Sequence, residues 1–537
     1  MAIERWEPSN TLTTQEQVLL KRLGRVRKLF GFLREHRALI FDDKLQDELA
    51  AMYRDTGAGR PPVTPALMAM AALLQGYVGA SDAEVVELTV VDLRWQMVLG
   101  QLGQTTPAFS QGAFHDFRNR MIRHDLDLRV LERTMEVARE TKAFDWRKLP
   151  KDLRVAIDSR PLQGAGRVED TFNLLAHAAR KVLHCAAALL DLSDEEAARE
   201  AGAPLLVQSS VKKGLDIEWS DDSQKADALE TLAIEVDRLE SWVSDALGQA
   251  VGAPPLSEHL ATLARIREQD LEPDPTRGGK RRRIRNGVAP DRRISIEDSQ
   301  MRHGRKSNSR RVDGFKQHIA TDLDTKLILS CAVTPANRPE AEAAEPLKAE
   351  VDRMGRRYAE WHIDRGYIKS AIVASITDGG GEVVCKPWVP HNGELFTKTA
   401  FKLDLRAMTI KCPAGRVESI RFGQGAQFAA EDCRRCELRA QCTTSDAGRS
   451  VLINEDERLQ QRLRRRIATR SGRARLRQRV AVEHSLAHIA QRQGSRARYR
   501  GIRKNLYDLR RAAAIQNLEI IHRHLDVRGA MPRRIAA

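Results

Sequence analysis

Apolar residues recur at helical spacing across the first 50 positions, where Leu19, Leu20, Leu23, Val26, Leu29, Phe30 and Leu33 repeat at threes and fours. That spacing predicts helices with one buried face. The run Arg60-Pro61-Pro62-Val63-Thr64-Pro65 ends this subdomain, and Thr64-Pro65 then reads as a cap with proline in the first turn of a helix through Leu67, Met70, Leu73 and Leu74. Ser81 and Ser110 look like caps of two further helices, the second reaching Phe114, Phe117 and Arg118. Such a set of short helices can read DNA or serve as a dimerisation or packing module, and periodicity does not choose between them.

The period changes after Pro150. Leu153 to Arg160 alternates and predicts a strand with Asp158 at its tip, and residues 170 to 270 return to helical stripes such as Leu229, Leu232, Val236, Leu239 and Val243. Strands are expected at 314–321 and 326–333, joined as a hairpin through Asp322-Leu323-Asp324-Thr325. A helix over 338–354, a strand 360–364 ending in Asp364, a helix 368–377 and a strand 382–386 follow. Val482, Leu486 and Ile489 predict a helix stopped by Gly494, with Glu483 at the edge of its apolar stripe. The sum is a mixed α/β sheet with insertions. The expected division is a helical DNA-binding or dimerisation domain at 1–148, an α/β sheet domain from 149–169, 312–388 and 455–525, a helical insertion at 170–271, a basic linker at 272–311, a cysteine-rich β insertion at 389–454 and a tail at 526–537.

Charge sharpens this picture. The 537 residues hold 89 Lys/Arg against 73 Asp/Glu, an excess of +16. Residues 458 to 511 alone contain 18 Lys/Arg and two acids, Glu483 and Asp508, which is the whole excess. An acidic partner is expected, and nucleic acid is preferred to a membrane because no apolar run approaches the roughly 20 residues needed to span a bilayer. Two to four modules suit the length. The first residues lack a basic segment followed by an apolar one, so a cytosolic, reducing setting is expected, in which the seven cysteines are free thiols or metal ligands. The run Lys280-Arg281-Arg282-Arg283 lies within 272–311, expected to be exposed, and contact with DNA and simple solvation are equally good readings of it.

An isolated carboxylate within a basic stretch ordinarily forms a salt bridge. Glu483 gains a second meaning from Asp158 and Asp364, two acids at strand ends that neighbouring strands would bring together across 206 residues of sequence. Three gathered carboxylates repel one another and persist chiefly around Mg²⁺ or Mn²⁺. Two such ions can activate an attacking oxygen and stabilise a leaving 3′ oxygen in phosphoryl transfer. Asp216, Glu218, Asp221, Asp222, Asp298, Asp322 and Asp324 compete for the role, but their positions look like caps, turns and solvated faces. Separately, Cys412, Cys433, Cys436 and Cys442 offer four soft ligands within 31 residues, which suits a structural Zn²⁺, with DNA contact open to Arg416, Arg421, Arg434, Arg435 and Arg439 around it.

The order Ile157-Asp158, Gly314-Phe315-Lys316-Gln317-His318, Val333-Thr334-Pro335-Ala336-Asn337, Asp364-Arg365-Gly366-Tyr367, Val482-Glu483-His484 and Arg498-Tyr499-Arg500-Gly501 resembles bacterial insertion-sequence DDE transposases from about residue 60 to 520. Residues 61 to 125 look like the helical N-terminal domain of that group. The resemblance implies an RNase H-like catalytic domain, two Mg²⁺ or Mn²⁺ ions at Asp158, Asp364 and Glu483, double-stranded DNA as partner, at least a dimer on DNA, and a cytoplasmic bacterial protein on the nucleoid when bound. Arg479, four residues before the glutamate, fits the arginine of a signature in related transposases. Leu476 and Ala490 stand where that signature has tyrosine and lysine, Arg492 is a substitute for the lysine, and Asp158-Ser159-Arg160 departs from the usual Asp-Gly-Thr. With Arg479 and Arg492, Arg498, Arg500 and Lys504 complete the expected DNA-contacting set beside the 280–283 run. An RNase H-like nuclease without strand transfer and a non-catalytic DNA-binding regulator derived from a transposase are the alternatives.

Overall fold

The computed structural model describes residues 3–23, 28–53, 61–277, 279, 281–305 and 310–530. Val26, Arg60, Gly278, Lys280 and the last seven residues of the tail lie outside them. Among the described residues the N-terminal region is all helical. Helix α1 (Pro65–Val78) carries proline in its first turn and stops at Gly79, whose φ of +81° suits a residue without Cβ. Leu67, Met70, Leu73 and Leu74 are all buried because helices pack around α1 on several sides. Helix α2 (Leu126–Glu140) closes this region.

A six-stranded sheet follows. Strand β1 (Leu153–Gln163) lies at its centre, and the helical insertion between Thr171 and Asp270, which includes helix α3 (Asp222–Leu247), has its own apolar core of Leu175, Val182, Leu232, Val236 and Ile266. Short strands β2 (Leu271–Pro273) and β3 (Arg282–Ile284) pair with each other outside the sheet. Strands β4 (Arg302–Arg305), β5 (Arg311–Asp322) and β6 (Ile328–Pro335) return to it: β5 runs antiparallel to β1, and β4 and β6 occupy successive stretches of the far edge of β5. Helix α4 (Ala344–Asp352) leads to β7 (Tyr358–His362), and helix α5 (Ile372–Asp378) to β8 (Glu382–Val384); β7 is parallel to β1 and β8 to β7. The cysteine-bearing insertion then adds strands β9 (Lys402–Asp404), β10 (Thr409–Lys411) and β11 (Val417–Ser419) around Ile410, Ile420 and Phe428. Helices α6 (Glu457–Ala468), α7 (Arg470–Arg477), α8 (Val480–Gln493) and α9 (Ile502–Ala530) complete the chain.

Helix α9 ties the two ends of the molecule. It packs on α1, α2 and β6. Asn517 Oδ1 accepts from the Ile328 amide at 2.7 Å while its Nδ2 donates to the Ile328 carbonyl and to Thr134 Oγ1, both at 2.9 Å. A side chain thus replaces a missing strand at the sheet edge. One apolar core runs from Phe30, Leu74 and Leu131 through Ile157 and Ile319 to Val482, Ile489 and Leu518, so residues 1–148 share their core with the sheet.

Two expectations change. Strand β1 does not end near Asp158: it continues to Gln163 because its second half pairs with β5, Leu162 opposite Phe315, leaving Asp158 in mid-strand opposite Ile319. The stretch 272–311 is not a free linker either. Ile294, Ser295, Asp298 and Met301 are buried, β4 joins the sheet, and the arginines meet acids from elsewhere: Arg281 pairs with Asp227, Arg282 with Asp237 and Arg283 with Glu272.

Candidate active site

The parallel register of β1 and β7 places Ala156 beside His362. Two residues further along each chain stand Asp158, still within β1, and Asp364, which lies past the end of β7 rather than in the strand as expected. Asp364 caps the turn Arg365–Tyr367, its Oδ1 accepting from the Arg365 amide at 2.8 Å. Helix α8 lies over β1 and β5, with Val482, Leu486 and Ile489 buried and Glu483 exposed beside them.

Arg479 joins these elements. Its Nη1 donates to Asp158 Oδ2 and its Nη2 to Glu483 Oε1, each at 2.7 Å. Burial pushes the Asp158 carboxyl up, Arg479 and the Ser159 amide oppose this, and the charges of Asp364 and Glu483 add to the rise. Burial works against the Arg479 cation, yet Asp158, Asp364 and Glu483 together raise its pKa. Three carboxylates from three elements therefore share the field of one guanidinium. Among the described residues, the one group of three metal-ligating side chains whose ligand atoms lie within 4.8 Å of one another is elsewhere, at Asp42, Glu136 and Glu140, and it surrounds Arg133. Asp158, Asp364 and Glu483 are more widely spread, with Arg479 between Asp158 and Glu483.

Behind Asp158 lies a polar layer that sequence reasoning left without a role. The Ser159 hydroxyl donates to Glu340, and Tyr367, fully buried, places its Oη 2.7 Å from His318 Nδ1. His318 Nε2 lies 2.9 Å from Thr334 Oγ1, and burial, assisted by Lys316, pushes the imidazole down to about 3, so the ring is neutral. Gly366 passes so close to Glu340 that a Cβ there would lie 2.2 Å from its carboxylate. The signal was present in Gly314 to His318 and Asp364 to Tyr367, motifs whose residues converge here. On the other flank Arg475 of α7 bridges Glu360 of β7 at 2.9 Å and Glu382 of β8 at 2.7 Å, fixing the helices that deliver Arg479.

The remaining expected DNA contacts divide. Arg492 pairs with Glu519 at 2.7 Å, Arg498 donates to the Ala80 carbonyl and Arg500 pairs with Glu297, so each has a partner within the protein. Lys504 is exposed. Lys280 lies outside the described residues, and its neighbours Arg281, Arg282 and Arg283 are ion-paired as described. Cys412, Cys433, Cys436 and Cys442 line one cavity of about 450 Å³ with Phe396, Phe401 and Phe428. The Arg416 amide donates to Cys412 Sγ at 3.3 Å, and burial, then the three other thiols, raise the pKa of Cys442. No three of these sulfurs lie within 4.8 Å of one another.

Comparison with known families adds two matches. Residues 410–522 match the family model described as Transposase DDE domain, and residues 21–120 match Transposase domain (DUF772). Together they support an insertion-sequence DDE transposase. Among curated proteins and solved structures, nothing matches. The DDE match contains Glu483, Arg479 and the four clustered cysteines, while Asp158 and Asp364 fall between the two matched segments. No described helix is long and apolar enough to cross a membrane.

Proposed function

We propose that the protein binds the terminal inverted repeats of an insertion sequence, cleaves the DNA there and joins the 3′ ends to target DNA by metal-dependent phosphoryl transfer at Asp158, Asp364 and Glu483. The observation that carries this reading is that Arg479 bonds both Asp158 on β1 and Glu483 on α8, while Asp364 follows the end of β7, the parallel neighbour of β1, and acts on the same guanidinium through its charge. The sheet order, three antiparallel strands followed by two parallel ones with the first aspartate on the central strand, is consistent with an RNase H-like domain.

The donor chemistry fits Mg²⁺ or Mn²⁺, because carboxylate oxygens are the ligands hard divalent cations take. Two such ions, when bound, would activate the attacking oxygen and stabilise the leaving 3′ oxygen. The chain's own residues prepare the site. Arg479 neutralises Asp158 and Glu483 until it withdraws toward a DNA phosphate, and the Ser159, Glu340, Tyr367 and His318 layer fixes the backbone on which Asp158 stands. Glu483, exposed on α8, is the carboxylate freest to adjust. Lys504 adds a phosphate contact. Two element ends must be held at once, so at least a dimer on double-stranded DNA is expected, on the nucleoid of a bacterial cytoplasm.

The four clustered cysteines fit a structural Zn²⁺ by donor type and by their common cavity. Elemental analysis of the purified chain should give about one zinc per molecule, falling with Cys436→Ser; no zinc in protein purified without chelators would refute the site.

The decisive experiment incubates a plasmid carrying the DNA that flanks the protein's own gene with Mg²⁺ and either wild type or Glu483→Gln, mapping products at nucleotide resolution. Cleavage at the element ends with 3′ joining by wild type alone is the expected result. Cutting without joining would replace the transposase reading by a nuclease, and binding without cutting by both proteins would replace it by a regulator.

A further inference from the structure

Helix α6 carries two kinds of arginine. Arg464 pairs with Glu457 at 3.0 Å and Arg466 with Glu382, so both are engaged by the protein. Arg458, Arg462 and Arg465 point the other way, exposed, into an open groove of about 1110 Å³ whose opposite wall is the β9–β10 hairpin with Lys402, Arg406 and Lys411. One carboxylate, Asp404, shares the groove, and it is occupied in capping the turn through the amides of Arg406 and Ala407. Among the described residues none of the six cations has an acid at ion-pair distance.

The arrangement is unfavourable for the protein alone. Lys402 and Lys411 are direct cross-strand partners, and like charges facing each other on a sheet repel. Arg458 and Arg462, then Arg462 and Arg465, stand four and three residues apart on one helix face, again like beside like. A polyanion in the groove would relieve these repulsions. The lining contains no aromatic side chain, and the Phe422 ring next to it is covered by the Arg458 guanidinium at 5.4 Å, so the groove offers no row of free rings on which unpaired bases stack, as single-strand binders use. It is also two-walled, whereas a membrane surface favours a flat basic face with apolar anchors. Along α6 the three arginines span about 10 Å, a length of duplex carrying roughly six phosphates.

We propose that this groove clamps the backbone of double-stranded DNA without regard to sequence, a contact that rests on the transposase reading and adds a second hold on DNA beyond the carboxylate site. It also moves the expected contribution of the cysteine insertion to a different face. Arg416, Arg435 and Arg439, on the cysteine side, are paired with Asp432, Glu431 and Asp446.

The test measures fluorescence anisotropy of random-sequence duplexes with the full-length protein in magnesium-free buffer, as a function of salt. Replacing Lys402 and Lys411 by Ala together with Arg458, Arg462 and Arg465 by Ala is expected to weaken binding at least about tenfold at moderate salt. The same variant should flatten the slope of log K against log salt by roughly 2 to 4, near 0.9 for each phosphate that the groove no longer neutralises. The triple Arg→Lys variant keeps charge and should keep the slope; a weakening there equal to that of the Ala variant would overturn a backbone clamp. Unchanged duplex binding by the Ala variant overturns the groove and leaves the transposase reading intact. Weakening confined to single strands or to RNA duplexes also overturns it. If wild type binds no duplex at any salt, the proposed function falls with the groove.

Discussion

Two sites in this molecule place three carboxylates around one arginine, and they differ in what the arginine is for. Arg133 is almost wholly buried, lies within 3.2 Å of Asp42, Glu136 and Glu140, and donates through Nε to the Ile40 carbonyl. Two of its acids are on its own helix, so the cluster forms wherever α2 forms. Arg479 instead gathers acids from a strand, a post-strand turn and a helix, none of them near another in sequence, and its side chain is 22% exposed. A cation that merely satisfied its neighbours would not need carboxylates from such distant elements. The first cluster is closed and structural; the second is held by one side chain that can leave.

The largest effect expected from that contrast is on stability. Arg133→Ala would take this cation from Asp42 and Glu140 and this donor from the Leu39 and Ile40 carbonyls, while Glu136 keeps Arg129, a loss of about 3 kcal/mol, at the low end for a buried pair because the acids are a third or more solvated. Denaturant midpoints would read it, and a midpoint equal to wild type would contradict a structural role. Next comes activity. Asp158→Asn, Asp364→Asn and Glu483→Gln should each reduce cleavage by more than roughly 100-fold, the upper figure for residues one step behind a metal ligand. Asp42→Asn and Glu140→Gln should leave the rate unaltered. Equal rates for the two sets would erase the distinction between the clusters.

A smaller effect isolates Arg479. Removing a neighbouring cation should strengthen divalent binding by the acids it neutralises, so Arg479→Ala is expected to bind Mn²⁺ roughly tenfold more tightly in calorimetry, since a partly exposed charge at this distance contributes on the order of 1 to 4 kcal/mol in water-like to protein-like surroundings. DNA cleavage would nevertheless fall. Weaker Mn²⁺ binding would mean that Arg479 supports the cluster as Arg133 does, and no Mn²⁺ binding that depends on Asp158 in either protein would remove the metal site itself.

What could be read ahead of the structure followed the range of the interactions. Val482, Leu486, Ile489 and Gly494 describe a helix within 13 residues, and the helix is there from Val480 to Gln493. That the strands carrying or preceding Asp158 and Asp364 are neighbours was legible from element order, and β1 does pair with β7. Interactions across long separations were not. The far half of β1 exists through its pairing with β5, 150 residues on, and Arg281 and Arg282 are neutralised by acids 54 and 45 residues earlier on α3. A run of like charge shows its sign in sequence and hides its partners. The same limit concealed Glu340 and the His318–Tyr367 contact behind the site, and the partners that Glu519, the Ala80 carbonyl and Glu297 give to Arg492, Arg498 and Arg500.

The last expected effect concerns that concealed layer and separates it from the carboxylates in front of it. His318 has its imidazole pushed from an ordinary 6.5 down to about 3, by burial first and Lys316 second, so between those values the unfolded chain takes up a proton that the folded chain refuses. Stability is fully present above pH 6.5 and declines as pH falls toward 3, by at most about 1.4 kcal/mol per pH unit from this one group. Asp158 acts in the opposite sense, since its raised pKa lets the folded chain accept a proton first as pH falls through that value. Glu360, whose burial is outweighed by His362, Arg154 and Arg475 and whose carboxyl is drawn down to about 2, adds a loss only below about 4.5. The window from 6.5 to 4.5 therefore separates His318 from Glu360, while any titration of Asp158 within it opposes the decline. Urea titrations at pH 7.0, 5.5 and 4.5 should show the decline in wild type and a flatter dependence in His318→Gln, which can still bridge Tyr367 and Thr334. An identical slope in both proteins would place the titrating group elsewhere and leave the layer behind Asp158 without a part in the acid sensitivity of the fold.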